Sequence, residues 1–417
     1  MINTYQNARR VVVTGLGILA PNGLGKDAFW SSLINAETGI EPVTLFDATE
    51  LRSRIAGEVK PFDYSTYIPD KFRPGRMGRA SIFAIVSSKL ALADAGLDTA
   101  EFDPDDPFFI SLGVSTSALD TIEKQTLEIH TKGWRHAHPY TVRESLPNAV
   151  ACNVADVLNV KADAVTISNG CPSGISAINE ATQKIRSGKY DFALAGASDS
   201  PITYSAMAAF CAARALSERN EDPATASRPF DADRDGGVLA EGAAVFVLEE
   251  YERAVARGVT PYLEILGHGS MNDTPESTPG SALEETMDMA IANSSIYPEQ
   301  IDYINAHGPS DREIDAEEVR CIKSLFGNHA NRLKIASIKG VTGNPLSAAG
   351  ALQVGCCAMA FRKQQIPPTA NFTEPDEDSF LEGITNQSSF GTISHALINI
   401  HGYGGINNSL VVKRFPA

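Results

Sequence analysis

Short runs of apolar, often β-branched residues alternate with longer stretches of helical spacing along the whole chain. Five such runs precede residue 255 and five follow it. A short apolar run bounded by glycine or polar residues is typical of a buried strand. The predicted strands are residues 11–15, 109–114, 165–167, 192–196, 244–248, 262–266, 301–305, 334–338, 396–400 and 409–413. The alternation of strands and helices predicts an α/β fold.

The two sets of strands indicate two related halves, residues 1–255 and residues 256–417. The strand predicted at 334–338 leads through a turn into an alanine-rich helical stretch. This strand-turn-helix pattern is similar to the one predicted at 165–181, although few residues are identical. The sequence therefore predicts two duplicated α/β domains.

The most informative segment is residues 165–176, where a β-branched strand leads through a glycine-flanked cysteine into a helix. Pro172 suits the first helical position, because its missing N–H would be unpaired there anyway. Cys171 is therefore expected at a helix N-terminus, where the helix dipole favours the thiolate. The flanking glycines would let a substrate carbonyl approach backbone N–H groups. We expect a nucleophile, and the alternative is a small buried cysteine without a chemical role.

Composition and charge exclude several classes of protein. The chain has 417 residues, of which 43% are hydrophobic, and a formal net charge of −16. Its six cysteines show no CxxC pair and no metal-ligand spacing, and the N-terminus lacks a signal-peptide pattern. We therefore expect a cytoplasmic protein without disulfides or a metal. No run approaches the roughly 18 apolar residues of a membrane span, and the negative charge argues against nucleic-acid and membrane-surface partners.

One basic cluster stands out against this negative charge, just before a helix predicted at 82–95. It comprises Lys71, Arg73, Arg76 and Arg79. We expect the cluster to bind an acidic partner, although a short charged run is also typical of a solvated surface.

Candidate polar groups recur in the C-terminal half. His307 ends a predicted strand and precedes a glycine, where α/β sheets present functional side chains, so we expect it to be the partner of Cys171. Asp315 and Glu318 lie three residues apart on a predicted helix. They could orient or neutralise a cation, and a solvated surface is the alternative.

The second turn and the C-terminus add further candidates. Lys339 and Asn344 offer a cation and an amide donor beside the turn that follows residue 338. The glycine-rich loop at 401–408 could bring a backbone N–H to an oxyanion, or could cradle a phosphate.

At these positions the chain resembles a known family over essentially its whole length. The matching blocks are residues 13–17, 169–174 (Asn-Gly-Cys-Pro-Ser-Gly), 195–202, 226–236, 305–308 (Asn-Ala-His-Gly), 337–339 and 367–372. They resemble the β-ketoacyl-ACP synthases of the thiolase fold, in the elongating branch of fatty acid and type II polyketide pathways. The resemblance implies a layered α-β-α-β-α architecture.

The same resemblance implies an activity and partners. An acyl group on Cys171 would condense with a malonyl unit, and both would be delivered on the phosphopantetheine of an acyl carrier protein, without another cofactor. The basic cluster would dock this acidic carrier. The chain would form a homodimer, or a heterodimer with a ketosynthase-like subunit.

Roles for further residues also follow from the resemblance. His307 would be one of two groups that bind the malonyl thioester carbonyl, and Lys339 would support it. The other implied residues are the oxyanion and gating residues Tyr403, Gly402 and Gly404, the acyl-pocket residue Phe210, and the supporting acids Glu318 and Asp315.

The most important departure from the family pattern is Asn344, which stands where the elongating branch has its second catalytic histidine. The implied set is therefore Cys171, His307 and Asn344. An amide N–H can also donate the hydrogen bond that polarises a carbonyl, so condensation stays plausible.

Three other positions depart from the pattern. Pro309 and Asp311 replace two threonines that bind the pantetheine arm in relatives. The proline removes a donor, and the aspartate adds a negative charge near a malonyl carboxylate. His401 replaces an aromatic residue in the C-terminal loop.

The leading hypothesis is a condensing enzyme of a polyketide or specialised fatty acid pathway. One alternative is a malonyl-ACP decarboxylase or acyltransferase that forms no carbon–carbon bond. Another is a non-catalytic partner subunit that resembles the chain-length factors. Because those subunits lack the cysteine, the presence of Cys171 favours an enzyme.

Overall fold

The computed structural model describes residues 9–101 and 108–415. All ten predicted strands form in it, and together they build one large mixed sheet. In chain order the strands are β1 (Val11–Ala20), β2 (Gly23–Leu24), β3 (Ile40–Pro42), β4 (Ile55–Gly57), β5 (Phe108–Gly113), β6 (Ala162–Ile167), β7 (Phe192–Asp199), β8 (Gly242–Glu250), β9 (Leu263–Asn272), β10 (Tyr303–Asn305), β11 (Lys334–Ala336), β12 (Gln365–Ile366), β13 (Ser389–Phe390), β14 (His395–Gly402) and β15 (Ile406–Arg414). Short β2 pairs with β1, and β3–β4 and β12–β13 form separate two-stranded ribbons.

Helices occupy most of the connections between strands. The α-helices are α1 (Lys26–Ile34), α2 (Arg79–Asp94), α3 (Leu119–Lys132), α4 (Thr141–Glu144), α5 (Ala149–Leu158), α6 (Ser173–Arg186), α7 (Tyr204–Ala212), α8 (Tyr251–Ala256), α9 (Leu283–Asn293), α10 (Arg312–Phe326), α11 (Lys339–Thr342) and α12 (Ser347–Lys363). The 3₁₀ helices are Tyr64–Thr66, Asp70–Phe72, Pro74–Arg76, Thr99–Glu101, Trp134–His136, Pro223–Thr225, Pro298–Gln300, Gly327–Arg332 and Glu377–Ser379. Among the described residues, no helix has the length and apolar character to cross a membrane.

The strand order repeats in the two halves. Across the sheet it is β6-β5-β7-β8-β1 in the first half and β11-β10-β14-β15-β9 in the second. In each half the first three strands are parallel and the next two are antiparallel to their neighbours. The halves join where β1 pairs with β9. The predicted duplication is therefore visible in the topology, while the boundary between residues 255 and 256 stays a prediction.

Helices cover both faces of each half and build five layers. Helices α2 and α5 pack on the outer face of the first half, and α9 packs with α10 on the outer face of the second. Helices α6 and α12 lie between the halves, because α12 contacts β7 and β8 of the first half and β14 and β15 of the second. This is the α-β-α-β-α arrangement that the resemblance implied.

Two glycines allow the central helices α6 and α12 to cross closely. A Cβ on Gly174 would lie 2.6 Å from the carbonyl oxygen of Ser347, and a Cβ on Gly350 would lie 2.6 Å from Cγ1 of Ile175. Both contacts are too short for any side chain. Both helices begin near this crossing, so the turns that precede them lie side by side, and one of those turns carries the expected nucleophile.

Candidate active site

One cavity of about 490 Å³ lies where the turns of both halves meet. The sequence-predicted residues in its wall are Cys171, Phe210, His307, Pro309, Asp311, Asn344, His401, Gly402, Tyr403 and Gly404. Leu216, Val238, Leu239 and Leu346 supply an apolar side of the wall. The fold therefore brings together residues that lie more than 200 positions apart in the chain, as the sequence predicted from motifs alone.

Cys171 lies in the turn between β6 and α6. Gly170 has a φ of 78°, a conformation that favours glycine. The hydroxyl of Ser173 donates a hydrogen bond of 2.6 Å to the carbonyl of Gly170 and so stabilises the turn. Pro172 is the residue before the helix rather than its first residue, because α6 begins at Ser173. The predicted strand-turn-helix is present, with the helix starting one residue later than expected.

The thiol of Cys171 is protonated at neutral pH, so the expectation of a stabilised thiolate was wrong. The side chain is 6% exposed. Burial raises the pKa of the Cys171 thiol to about 11, although the backbone N–H of Tyr403 and the positive charge of Lys339 act in the opposite direction. Loss of hydration for the anion therefore exceeds the stabilisation by nearby positive groups. An attack by this sulphur requires that its proton be removed.

Alkylation of Cys171 by iodoacetamide should accelerate steeply with pH. Iodoacetamide reacts with the thiolate, and a thiol with a pKa of about 11 gains thiolate about tenfold per pH unit between pH 7 and 10. Mass spectrometry of the peptide that contains Cys171 measures the rate, and the Cys171→Ala variant measures labelling of the other cysteines. A rate that levels off below pH 8 would contradict the burial argument.

His307 follows β10 and is fixed through its backbone. Its N–H and that of Gly308 donate to the Glu318 carboxylate at 2.9 and 2.8 Å. The Lys339 ammonium donates to the carbonyl of His307. Glu318 and Lys339 are both 1% exposed. These buried charges position the histidine without bonding to its ring.

The imidazole of His307 is neutral and has a nitrogen free to donate. Burial, together with the positive charge of Lys339, lowers the pKa of His307 well below its ordinary value. Its Nδ1 is buried and has no hydrogen-bond partner among the described residues. Because a buried N–H without a partner is rarer than an unpaired acceptor, the proton belongs on Nε2. The ring can then donate from Nε2 into the cavity.

Burial shifts the two charges behind His307 in opposite directions. It lowers the pKa of Lys339 to about 8, and the negative charge of Glu318 acts against that change. It raises the pKa of Glu318, against the hydrogen bonds that this carboxylate accepts. The predicted supporting role is consistent with this placement of Lys339 and Glu318, and their part in the reaction stays a prediction.

Asp315, the other predicted supporting acid, does not contact His307. Its carboxylate accepts a hydrogen bond of 2.8 Å from the N–H of Phe230 and lies 3.5 Å from the guanidinium of Arg234. Burial raises the pKa of Asp315 to about 7. Its hydrogen bond and ion pair join α10 to the 226–236 segment, and its negative charge also acts to raise the pKa of Lys339, so its supporting role stays a prediction.

Asn344 lies in the turn between α11 and α12 and is held by backbone hydrogen bonds. Its N–H donates to the carbonyl of Val238 at 2.8 Å, and its carbonyl accepts from Ala240 at 3.0 Å. The side chain lines the cavity. Its Oδ1 is buried without a partner among the described residues, so the amide is not tied to the fold. Asn344 can therefore present an amide to a substrate.

The β14–β15 hairpin places the glycine-rich loop beside Cys171. Gly404 has a φ of 92°, and a Cβ on Gly402 would lie 3.2 Å from the backbone nitrogen of Cys171. The ring of Tyr403 is 63% exposed and packs edge-to-face on Phe210, with 5.4 Å between ring centroids. The backbone of Tyr403 thus approaches the cysteine while its side chain lies at the outer wall.

The carboxylate of Asp311 has a structural function that the sequence analysis missed. It accepts hydrogen bonds from the N–H groups of Glu313 and Ile314 at 3.0 and 3.1 Å. Asp311 therefore caps the N-terminus of α10, where the helix dipole stabilises a negative charge. An aspartate directly before a helix with acidic residues in its first turn was a capping signal in the sequence.

The four residues of the predicted basic cluster do not share one environment in the structure. Lys71, Arg73 and Arg76 are exposed, but Arg79 forms two hydrogen bonds of 2.7 and 2.5 Å with the carboxylate of Glu241. The Glu241 side chain is fully buried, at 0% exposure, and requires this partner. The side chain of Arg79 is 31% exposed and is committed to this ion pair, so its part in docking stays a prediction and is weaker than that of the other three residues. We refer to Lys71, Arg73 and Arg76 as the docking cluster.

Sequence reasoning also missed one wall of the cavity, the loop at residues 273–279. Asp273, Thr274, Pro275, Ser277 and Pro279 of this loop line the cavity. The only signal in the sequence was the loop-like composition of this stretch. In residues 9–101 and 108–415, no group of three or more His, Cys, Asp or Glu side chains is arranged to hold a metal ion.

A thiol surrounded by hydrogen-bond donors suits chemistry at a thioester carbonyl, and the duplicated five-layer fold is that of the thiolase-like condensing enzymes. Two family models cover most of the chain. Residues 8–254 match the N-terminal domain of beta-ketoacyl synthases, and residues 262–373 match the C-terminal domain. The chain belongs to the beta-ketoacyl synthase family and is an acyltransferase of that family.

Curated relatives cover almost the full length. The chain is 38% identical over 416 residues to the putative polyketide beta-ketoacyl synthase 1 of Streptomyces cyaneus, with 97% of this chain and 98% of that protein covered. It is 35% identical over 411 residues to the 3-oxoacyl-[acyl-carrier-protein] synthase 2 of Synechocystis sp., with 98% of each covered. The predicted family is confirmed.

Solved structures give the same result for the fold. The type II polyketide ketosynthase AntDE, solved with its acyl-carrier protein AntF, matches with a TM-score of 0.89 and 31% identity over 97% of this chain and 99% of that chain. The ishigamide ketosynthase/chain length factor matches with a TM-score of 0.90 and 27% identity over 98% of this chain and 100% of that chain. The predicted thiolase fold is confirmed.

Proposed function

We propose that this enzyme catalyses decarboxylative Claisen condensation of an acyl group on Cys171 with malonyl-ACP, in a polyketide or specialised fatty acid pathway. The observation that carries the proposal is that Cys171, His307 and Asn344 line one cavity. Each has a chemical group that the fold leaves available: a thiol, an imidazole Nε2 and a side-chain amide. The two halves of the chain supply them jointly.

The first step is transfer of the acyl group to the cysteine. The sulphur of Cys171 attacks the thioester carbonyl of acyl-ACP, and the pantetheine thiol departs with the proton. The oxyanion that forms accepts hydrogen bonds from the backbone N–H groups of Cys171 and Tyr403. One such donor typically contributes about 10²–10³ to the rate.

The second step is decarboxylation and carbon–carbon bond formation. The thioester carbonyl of malonyl-ACP accepts hydrogen bonds from Nε2 of His307 and the side-chain amide of Asn344. These donors stabilise the enolate that forms when CO₂ leaves. The enolate carbon attacks the acyl carbonyl on Cys171, the bond from that carbon to the cysteine sulphur breaks, and the released thiolate takes up a proton from water.

Incubation with acyl-ACP and malonyl-ACP separates this function from the alternatives. Mass spectrometry follows the acyl group on Cys171 and the product on the carrier protein. We expect a labelled cysteine and a β-ketoacyl-ACP. Loss of CO₂ without this product would indicate a decarboxylase or acyltransferase, and an unlabelled cysteine would indicate a partner subunit.

A second ketosynthase-like chain, identical or similar, is part of the proposal. Strand β6 lies at the end of the sheet, where unpaired backbone groups can bind another strand. The segment between β5 and β6 also exposes large apolar side chains: Leu127 at 64%, Trp134 at 73%, Val142 at 72% and Leu146 at 50%. Such a surface is typical of a protein–protein interface.

An acyl carrier protein is the other proposed partner, and its phosphopantetheine would be the only prosthetic group in the reaction. We place the enzyme in the cytoplasm, without nucleic-acid or membrane partners. Its six cysteines are free thiols, which is usual for a reducing compartment.

Charge reversal in the docking cluster should slow association with the carrier protein. Arg73 donates to the hydroxyl of Tyr140 at 2.9 Å, and Arg76 lies 4.7 Å over the ring of Tyr140, so both guanidinium groups are presented on one surface. We expect Arg73→Glu/Arg76→Glu to lower the on-rate about tenfold at low salt, because long-range attraction accelerates encounter. Stopped-flow measurements at several ionic strengths would also show a weaker salt dependence.

The matched control for this experiment is Lys323→Glu/Lys363→Glu, which makes the same charge change at two exposed lysines on α10 and α12. It should have little effect on the on-rate. Normal association of the Arg73→Glu/Arg76→Glu variant at low salt would place carrier docking on another surface.

A further inference from the structure

A second histidine lies beside His307 in the cavity wall. His401 is on β14, directly before the residue that abuts Cys171. Its ring centroid is 6.0 Å from that of His307, and the planes meet at 69°. The side chain is 6% exposed. A buried imidazole at the reaction site that takes no part in the mechanism above requires an explanation.

The hydrogen bonds of His401 determine which ring nitrogen carries the proton. Its Nδ1 lies 2.9 Å from Oδ1 of Asn407, the residue directly opposite on β15. The amide nitrogen of Asn407 donates to the carboxylate of Asp273 at 2.9 Å. Since a carboxylate only accepts, the amide oxygen must face His401, and Nδ1 must donate to it. The lone pair is then on Nε2, which is left for the cavity.

The charges around the two imidazoles differ in sign. His307 has the ammonium of Lys339 beside it, which disfavours a positive ring. His401 has the carboxylate of Asp273 beside it, 3.8 Å from Nδ1. The hydrogen bonds suit the two rings to different functions: His307 can donate from Nε2, whereas His401, whose Nδ1 donates to Asn407, has an Nε2 lone pair that can accept a proton.

Another acid near His401, Glu317, is paired with an arginine. Gly280 lies between the two, since a Cβ there would be 3.6 Å from Cγ of Glu317 and 3.9 Å from Nδ1 of His401. Glu317 binds the guanidinium of Arg320 through hydrogen bonds of 2.8 and 2.6 Å. Asp273 lies 3.8 Å from Nδ1 of His401 and is held in place by hydrogen bonds from the N–H groups of Gly280 and Ala282, at 2.7 and 2.9 Å.

We propose that His401 carries the proton of the Cys171 thiol during acyl transfer, a role that rests on the proposed function. The S–H bond of Cys171 breaks as its sulphur bonds to the thioester carbon, and the proton passes through the cavity to Nε2 of His401. The bond between that carbon and the pantetheine sulphur then breaks. The imidazolium gives its proton to the departing thiolate, so the enzyme returns to its starting protonation and no other reactant is needed.

The test compares acylation with decarboxylation in His401→Gln. Glutamine has an amide that can still donate toward Asn407, but it cannot carry a proton. Single-turnover acylation of Cys171 by acyl-ACP should slow about 10²–10⁴-fold, the usual contribution of general acid–base catalysis. Decarboxylation of malonyl-ACP, measured in a Cys171→Ala background, involves no thiol proton and should not change.

Two further variants support this comparison. His268→Gln removes a largely buried histidine that lies outside the cavity wall, on β9, two strands away from β14. Both rates should stay unchanged. In His401→Gly, added imidazole should restore part of the acylation rate, because it can occupy the vacated space and carry the proton. A purely structural histidine would not be rescued in this way.

Three results would overturn parts of this account. Wild-type acylation rates in His401→Gln would overturn the proton-carrier role. An equal loss of acylation and decarboxylation would also overturn it, because that result indicates a structural role. Absence of acylation in the wild-type enzyme would overturn the proposed function itself, and the inference with it.

Discussion

Replacement of Cys171 by alanine should abolish acyl loading and product formation. The cysteine supplies the only thiol in the cavity wall, so no other sulphur in the described structure can form the thioester there. Removal of a nucleophile that acts together with its neighbours typically costs many orders of magnitude, since the remaining groups cannot replace it. Intact-protein mass spectrometry after incubation with acyl-ACP would measure the loss.

The folded state should survive this substitution, because Cys171 and alanine differ by one sulphur atom in a cavity wall. Thermal melting followed by circular dichroism would check that point. The matched control is Cys152→Ala on α5, a half-buried cysteine outside the cavity, which should load normally. Stoichiometric acylation of the Cys171→Ala variant would show that the nucleophile lies elsewhere.

Replacement of Asn344 by alanine should slow malonyl-ACP decarboxylation about 10²–10³-fold, the typical cost of one lost transition-state donor. Acylation of Cys171 should continue, because that step uses the backbone N–H groups of Cys171 and Tyr403 instead. The two rates can be measured separately, by CO₂ release and by mass spectrometry. A slower decarboxylation with an unchanged acylation rate would identify Asn344 as a donor to the malonyl carbonyl.

Two more variants of Asn344 sharpen this prediction. Asn344→Asp keeps the size of the side chain but removes the N–H donor, so it should be as slow as the alanine variant. Asn344→His restores the family pattern and should retain measurable condensation. An unchanged decarboxylation rate in Asn344→Ala would contradict the prediction. It would show that Asn344 serves only the turn before Pro345 and that His307 alone donates to the carbonyl.

The elements of the fold were predictable because their signals are local. Each main-sheet strand has an apolar run bounded by polar or glycine residues, and each central helix follows a glycine-containing turn. The boundaries were less accurate. Helix α2 begins at Arg79, three residues before the predicted start at 82, since the first helical turn includes polar residues that apolar spacing does not detect.

The candidate site residues could also be predicted from the sequence, although their electrostatics could not. The motif around Cys171 indicated a nucleophile, but the sign of its pKa shift depends on burial by parts of the chain distant in sequence. Arg79 looked like a surface cation until Glu241, 162 residues away, was seen to bind it. Burial and charge interactions depend on which residues are close in space, so the order of residues along the chain does not predict them.

The sequence by itself determined the family and the α/β duplication, and it predicted Cys171, His307 and Asn344 as site residues, because motifs and periodicity are properties of the linear chain. Only the tertiary structure decided which of these groups share a cavity, that burial raises the pKa of the thiol, and that Asp315 and Arg79 form buried ion pairs. It alone placed His401 between His307 and Asp273. The physical reason is that hydrogen bonding, desolvation and charge interactions act over a few ångströms, and only folding brings distant residues within that range.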